Sequence, residues 1–308
     1  MIALLMPLVL ILLCIIGVVC EIIKKWKVKV LCVLLGLILN YSFRVIPIHF
    51  ANNSKKVDFT IMCFNINAES DNLGNKVSRL YTIIDTENPD IVFLSEFYSV
   101  NQQNLFVKLS KKYPYHSSIE DNPKNCFFSK YPTSTVSRIN STNGKKSFLY
   151  KTTINIEGHL LNVVGVHLSS NNYDKDNSRF DMDSVSGLQS ARHYFTNYSE
   201  ASKKRCFDIG EIIRDSRTTP STPTIIMGDF NDVCGTKSLK LLGKAGFKDA
   251  WWENGFGLGA TIHCPVPLRI DHIFYNNLLE VVSIKKVKGE SLSDHDALVA
   301  SYTFSYEQ

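Results

Sequence analysis

The stretch Thr224-Ile225-Ile226-Met227-Gly228-Asp229-Phe230-Asn231-Asp232 runs a short apolar segment into a glycine, then two carboxylates and an amide within four positions. Fenced by Pro223 and Gly228, the segment up to Met227 reads as a buried strand. Gly228 is expected to turn the backbone as the strand leaves its sheet. Asp229 and Asn231 would then project from a strand end, where α/β sheets place their chemistry. Taken alone, the same residues could be a polar turn that merely ends a strand.

The pattern recurs along the chain. Asn65 stands at the end of a strand from Phe59 to Ile66, Glu96 follows the strand Ile91 to Ser95, and His167 ends the strand Leu160 to Val166. Asp271 lies in a strand Arg269 to Tyr275, and Asp294-His295 precedes the closing strand Ala297 to Phe304. Each has a plain structural reading. Glu96 could be a solvated loop residue, His167 a satisfied strand-end histidine, Asp271 a partner for Arg269, and Asp294-His295-Asp296 a charged turn. Only if all of these hold at once does the set mean nothing, and the recurrence at strand ends argues against that.

The elements that must position these residues are legible from periodicity. Val77, Leu80, Ile83 and Ile84 recur at helical spacing over 76–87, and Asn88-Pro89-Asp90 stops that helix. Phe148, Tyr150, Thr152, Ile154 and Ile156 alternate, and Glu157-Gly158-His159 folds their strand into an antiparallel hairpin with 160–166. A helix is expected over 199–214 with Cys206, Ile209, Ile212 and Ile213 on one face, and another from about Lys237 to Ala245. Arg205 on the first of these reads as a surface arginine, and residues 169–187 as a long polar loop. His272, out of phase with Asp271, reads as packing. His263 falls in a loop where a solvated histidine and a substrate contact are both open. Strands joined by hairpins and by helices indicate α/β or α+β architecture with more than one sheet.

In this order, Cys-Phe-Asn65-Ile, Ile-Val-Phe-Leu-Ser-Glu96, Gly-Val-His167-Leu, Met-Gly-Asp229-Phe-Asn231, Arg-Ile-Asp271 and Ser-Asp294-His295, the sequence resembles the endonuclease/exonuclease/phosphatase superfamily. That superfamily includes pancreatic-type deoxyribonuclease, abasic-site endonucleases, bacterial sphingomyelinases and inositol-polyphosphate 5-phosphatases. Gly-Phe-Gly-Leu-Gly-Ala-Thr261 ahead of Pro-Leu-Arg269-Ile-Asp271 further resembles its membrane-anchored bacterial branch. The resemblance, from about Phe59 to Tyr302, implies a four-layered α/β sandwich of two packed mixed sheets with the site at one edge. It implies phosphoester hydrolysis with a divalent cation, Mg²⁺ first, Mn²⁺ or Ca²⁺ as alternatives. In the roles it carries over, Asn65, Glu96 and Asp294 serve the metal. Asp229 would orient or deprotonate the attacking water, and Asn231 would hold a phosphate oxygen. His295, fixed by Asp271, and His167 opposite would face the phosphate. Asp229 and His295 both stay open as the base. The stretch 125–129 departs from the smaller residues usual there.

The first fifty residues read differently. Met1 to Cys20 is uncharged, and a second apolar run from Val30 to about Ile48 follows Lys24, Lys25, Lys27 and Lys29. At ~1.5 Å per residue each run is about long enough to cross a bilayer. The expectation is a membrane anchor over 1–50, a transmembrane helical hairpin with spans near 2–23 and 30–48. A linker over 51–57 and a catalytic domain over 58–308 would follow. Four lysines in the turn mark it as cytoplasmic, which puts the catalytic domain on the extracytoplasmic side of the cell membrane. Residues 1–57 hold seven Lys/Arg against Glu21 alone, leaving 27 basic and 28 acidic residues in 58–308. Without a general positive excess, the domain is poorly suited to non-specific binding of polyanions. Cys63, Cys126, Cys206, Cys234 and Cys264 show no paired spacing, so neither a zinc site nor a disulfide framework is expected. The sequence thus predicts a membrane-tethered phosphoester hydrolase. Its substrate would be a nucleic acid, a phospholipid head group or a small phosphoester, and no protein partner is predicted. The competing reading is a catalytically inactive scaffold on the same fold, which the full set of site residues disfavours.

Overall fold

The computed structural model describes residues 15, 18, 47–49, 55–67, 73–97, 103–119, 122–139, 147–171, 185–263, 267–289 and 292–305. The first sheet comprises Phe59–Asn65 (β1), Ile91–Ser95 (β2), Tyr115–Ile119 (β3), Asn122–Ser129 (β4), Leu279–Val287 (β11) and Ala297–Phe304 (β12). The second comprises Ser137–Arg138 (β5), Phe148–Ile156 (β6), His159–His167 (β7), Thr224–Asp229 (β8), Lys248–Asp249 (β9) and Asp271–Tyr275 (β10). Their orders are β11-β12-β1-β2-β4-β3 and β5-β6-β7-β8-β10-β9. Each sheet is mixed: β1 and β2 are parallel in one, β7 and β8 in the other, and the remaining pairs are antiparallel.

Alternation along the strands builds the layers. Ile61, Cys63, Phe93, Phe127, Val163, Ile225, Met227 and Ile273 face inward and form the core between the sheets. Their neighbours Met62, Phe64, Val92 and Leu94 face outward, beneath Leu80 and Ile84 of helix α1 (Leu73–Glu87) and Leu105 and Leu109 of helix α2 (Gln103–Lys112). On the other side, Val164, Val166, Ile226 and Phe274 pack under Ile209 and Ile212 of α3 (Val185–Ser216) and Leu239 and Leu242 of α4 (Lys237–Lys244). The result is the expected α/β/β/α sandwich. Gly165 permits close approach of the sheets, since a Cβ there would lie 2.4 Å from the Phe93 ring. The expected hairpin turn is also present, with positive φ at both Glu157 and Gly158, as a type I′ turn requires.

Two local expectations are revised. β8 does not end at Met227: it continues to Asp229, with Gly228 paired between Val166 and His272. A Cβ on Gly228 would fall 2.1 Å from the Val166 carbonyl oxygen, so this glycine serves close approach within the sheet rather than an exit turn. The helix expected over 199–214 begins at Val185 and absorbs the end of the predicted polar loop; residues 172–184 lie outside the described residues. The anchor spans near 2–23 and 30–48 likewise fall outside them, apart from Ile15, Val18, Pro47 and Ile48. Among the described residues no helix is long and apolar enough to cross a membrane. Within the linker, Lys55 pairs with Glu280 and Lys56 with Asp58 at 3.0 Å.

Candidate active site

Six of the strands that fill the inter-sheet core carry their alternation one step further at the same edge of the sandwich. Ile61 and Cys63 are followed by Asn65, Ile91 and Phe93 by Ser95, Val163 and Gly165 by His167, and Ile225 and Met227 by Asp229. Asp271 precedes Ile273 on the antiparallel β10, and Asn125 precedes Phe127 on β4. A period of two therefore delivers a cluster of polar side chains where the apolar layer stops. The ladder places Asp229 beside both His167 and Asp271, and Asn65 beside Ser95.

The side chains converge. Asn65 Nδ2 donates to Glu96 Oε1 at 3.2 Å and to Asp229 Oδ2 at 3.1 Å, joining the two sheets. His167 Nε2 lies 3.5 Å from the same Glu96 oxygen and 3.8 Å from Asp229 Oδ2. His295 Nδ1 donates to Asp271 Oδ2 at 2.8 Å, which fixes the ring and leaves Nε2 for a substrate. Asp294 accepts from Asn67 Nδ2 at 2.9 Å, and Ser293 Oγ donates to the Asn65 carbonyl at 2.7 Å, so the loop bearing His295 is fastened to the end of β1. All eight expected residues are thus brought to one edge.

Asn231 differs in detail from its expected role. Its backbone N–H donates to Asp229 Oδ1 at 2.7 Å, and its Nδ2 donates to Asp229 Oδ2 at 3.2 Å and to the Leu168 carbonyl at 3.0 Å. With both amide hydrogens engaged, Asn231 orients the Asp229 carboxylate rather than offering a donor to phosphate. The backbone at the site is also held in unusual conformations. Asn67, Glu96 and Asn231 have φ of 39°, 55° and 50°, in the left-handed region that non-glycine residues rarely occupy. Such strain persists where surrounding contacts over-determine it, commonly at functional sites.

The electrostatics follow from this crowding. Burial and the adjacent Asp271 raise the Asp229 carboxyl above the usual range, against the opposing effects of His295 and His167. Burial works against a charge on His295, but Asp271, Asp229 and Asp294 outweigh it and lift the imidazole to about 10. Buried carboxylates in mutual repulsion are a setting that a divalent cation relieves, and the oxygens of Asn65, Glu96 and Asp294 are the hard donors Mg²⁺ prefers. Asp229, Asp271 and His295 also bring their ligand atoms within 4.8 Å of one another, although the His295 Nδ1 is already committed to Asp271.

Several residues near the site take roles that the sequence alone does not show. Thr261 is buried, its hydroxyl accepts from the backbone N–H groups of Ile270 and Asp271 at 3.1 Å each, and its carbonyl accepts from Asp296 N at 2.7 Å. It clamps the start of β10 to the loop carrying His295. His263 is not merely solvated, since its Nε2 lies 2.8 Å from Asp296 Oδ1. Arg205, expected on the surface, is fully buried. Its Nε donates to Asp232 Oδ2 at 3.2 Å and its NH1 to Ser169 O and Asn171 Oδ1 at 2.9 Å each. Spaced four from Ile209, it belongs to the buried stripe of α3. There it ties the chain after His167 to the chain after Asn231.

Arg269 does not pair with Asp271. It donates to Asp249 at 2.9 Å and to Cys234 Sγ at 2.6 Å, and its NH1 lies 2.8 Å from His272 Nδ1. Cys234, Asp249 and His272 have the spacing of a metal cluster, but the guanidinium already supplies the positive charge among them. His272 is buried in this network, as its phase on the strand predicts.

Two six-stranded sheets packed face to face under helices, with carboxylates, amides and an Asp–His pair on one edge, define the structural class. A sequence model of the endonuclease/exonuclease/phosphatase family matches residues 62–295, and the chain belongs to that family. Among solved structures, the chain is similar to a humanized TDP2 from D. rerio (TM-score 0.61, 17% identity, covering 80% of this chain and 98% of that one). It is also similar to the human Nocturnin catalytic domain with bound sulfate (TM-score 0.60, 16% identity, 83% and 97%). An endonuclease/exonuclease/phosphatase from Bacteroides vulgatus gives a TM-score of 0.57 at 18% identity, covering 82% and 100%. No curated protein matches the sequence at a significant level.

Proposed function

We propose that this protein is a membrane-tethered, divalent-metal-dependent phosphoester hydrolase with its catalytic domain on the extracytoplasmic side. The observation that carries the chemistry is the Asn65 amide joining Glu96 to Asp229 beside a His295 ring held by Asp271. Asn65, Glu96 and Asp294 would hold the cation, Mg²⁺ by donor type, and the bound cation supplies charge neutralisation at the phosphoryl oxygens. Asp229, aimed by Asn231 and Asn65, orients the attacking water and takes its proton. His295 keeps its proton and donates from Nε2 to a phosphoryl oxygen as negative charge builds there. His167 lines the opposite wall next to Glu96. The tether is supported by the two apolar runs before residue 49 and the four lysines between them. Near balance of charge over 58–308 favours a lipid head group or small phosphoester over a long polyanion.

The decisive assay is hydrolysis of bis(p-nitrophenyl) phosphate by the purified chain with Mg²⁺, with chelator, and with Glu96→Ala or His295→Ala. Turnover should disappear with chelator and fall by about 10²-fold or more in each variant. Turnover that survives either chelation or the loss of His295 refutes the assignment. Supercoiled DNA, sphingomyelin and inositol phosphates, offered in parallel, then sort the substrate class.

A further inference from the structure

The described part of the chain makes contact with the catalytic domain earlier than the linker expectation allows. His49 N donates to the Gly255 carbonyl at 3.1 Å, Gly257 N donates to the Pro47 carbonyl at 2.9 Å, and Ile48 bridges Phe256 in antiparallel fashion. This junction carries large apolar side chains with much of their surface exposed. Ile48 is 47% exposed, Phe256 61%, and Leu258, two residues further on, 54%. Exposed apolar groups concentrated in one place on a folded domain mark an interaction surface.

The position of the junction indicates what covers it. The second apolar run, Val30 to about Ile48, leads directly into the junction. By chain reach, Ile48 lies within about 7 Å of Ile46. Interfacial apolar groups sit about 5–10 Å into the boundary between head groups and acyl chains. We infer that Ile48, Phe256 and Leu258 form a second membrane contact, seated in the bilayer interface beside the point where the anchor enters it. This inference rests on the tether in the proposed function and adds to it an orientation. The same loop runs on to Ile262, which bridges His295. Leu258 is four residues from Ile262, at most about 14 Å along the chain, so the seated loop keeps the active-site edge within about that distance of the interface.

The test uses the full chain carrying Trp26→Phe, reconstituted in phosphatidylcholine vesicles, with and without Phe256→Trp; Trp251 and Trp252 are a common background. In vesicles whose acyl chains are brominated near the head group, the emission added by F256W should be lost, and the loss should not change as protein is diluted in lipid. Added emission that survives bromination and is instead quenched by aqueous iodide overturns the inference. So does shielding that appears only at high protein-to-lipid ratio, which would assign the patch to a second copy of the chain. L258W reads the same patch if circular dichroism shows F256W misfolded. Vesicle flotation separates the two levels. A chain that does not float refutes the tether and this inference with it, whereas a floating chain with a wet residue 256 refutes the inference alone.

Discussion

Asp271 reaches the chemistry through the imidazole it holds and through its charge beside Asp229, and that makes it a sharp probe of the site. Asp271→Asn keeps the size and removes the charge that keeps His295 protonated. We expect kcat on a soluble phosphodiester to fall by about 10²-fold or more with little change in KM, read from steady-state kinetics. An unaltered kcat would show that the ring does not depend on this carboxylate. At this scale the sequence is informative where function sits at strand ends, because Asn65, Glu96, His167, Asp229 and Asp271 each interrupt or follow an apolar alternation. It is uninformative where a residue's role is set by partners remote in the chain. Arg205 reads as a surface charge until Asp232 and the Ser169 carbonyl are seen around it. Thr261 shows in the sequence only as the end of a glycine-rich run, since its task is to accept two N–H groups from residues nine and ten positions away.

Among elements, the Asp249–Arg269–His272 network has a structural task beside its chemical neutrality. Asp249 ends β9 and accepts from the N–H groups of Trp251 and Trp252 at the start of the short helix α5 (Ala250–Asn254), while Arg269 leads into β10. Asp249→Asn leaves the buried guanidinium short of its counter-charge, and we expect a loss of about 3–5 kcal/mol in urea unfolding at pH 7. Gly228→Ala forces a methyl group onto the Val166 carbonyl, and the same measurement should show at least about 1–3 kcal/mol of destabilisation. Not every element here is legible in the sequence. β9 and α5 are too short for periodicity to register, and β3, an edge strand with His116, Ser117 and Ser118 in sequence, lacks apolar alternation. The long strands of the core and the buried stripe of α3 were legible because burial on a fixed face leaves a fixed period.

For the molecule as a whole, acid should be the effective denaturant. Burial works against charge at Asp249, Asp58 and Asp296, but Arg269 and His272 hold the first carboxyl well below its usual range. Hydrogen bonds from Thr303 and Phe304 lower the second, and those from Lys286 and Gly289 the third. Such groups bind protons less readily folded than unfolded, so their stabilisation is complete above about pH 4 and is lost as pH falls through the folded values. Urea midpoints should therefore not fall between pH 7 and about 5, where the raised proton affinity of His295 adds stability, and should drop below 4, with a smaller drop for Asp249→Asn. Asp229 runs the other way, since its raised proton affinity means that its charge at neutral pH burdens the fold. That burden falls at the edge of the inter-sheet core, where Asn65 reaching over to Asp229 links the two sheets. A cation and a phosphate lodged there would touch both halves at once and act as a rivet. Saturating Mg²⁺ with vanadate should then raise the melting temperature, by the equivalent of about 2.7 kcal/mol at a hundredfold excess over Kd. Turnover in this protein would on that view be coupled to a repeated tightening and loosening of the whole sandwich.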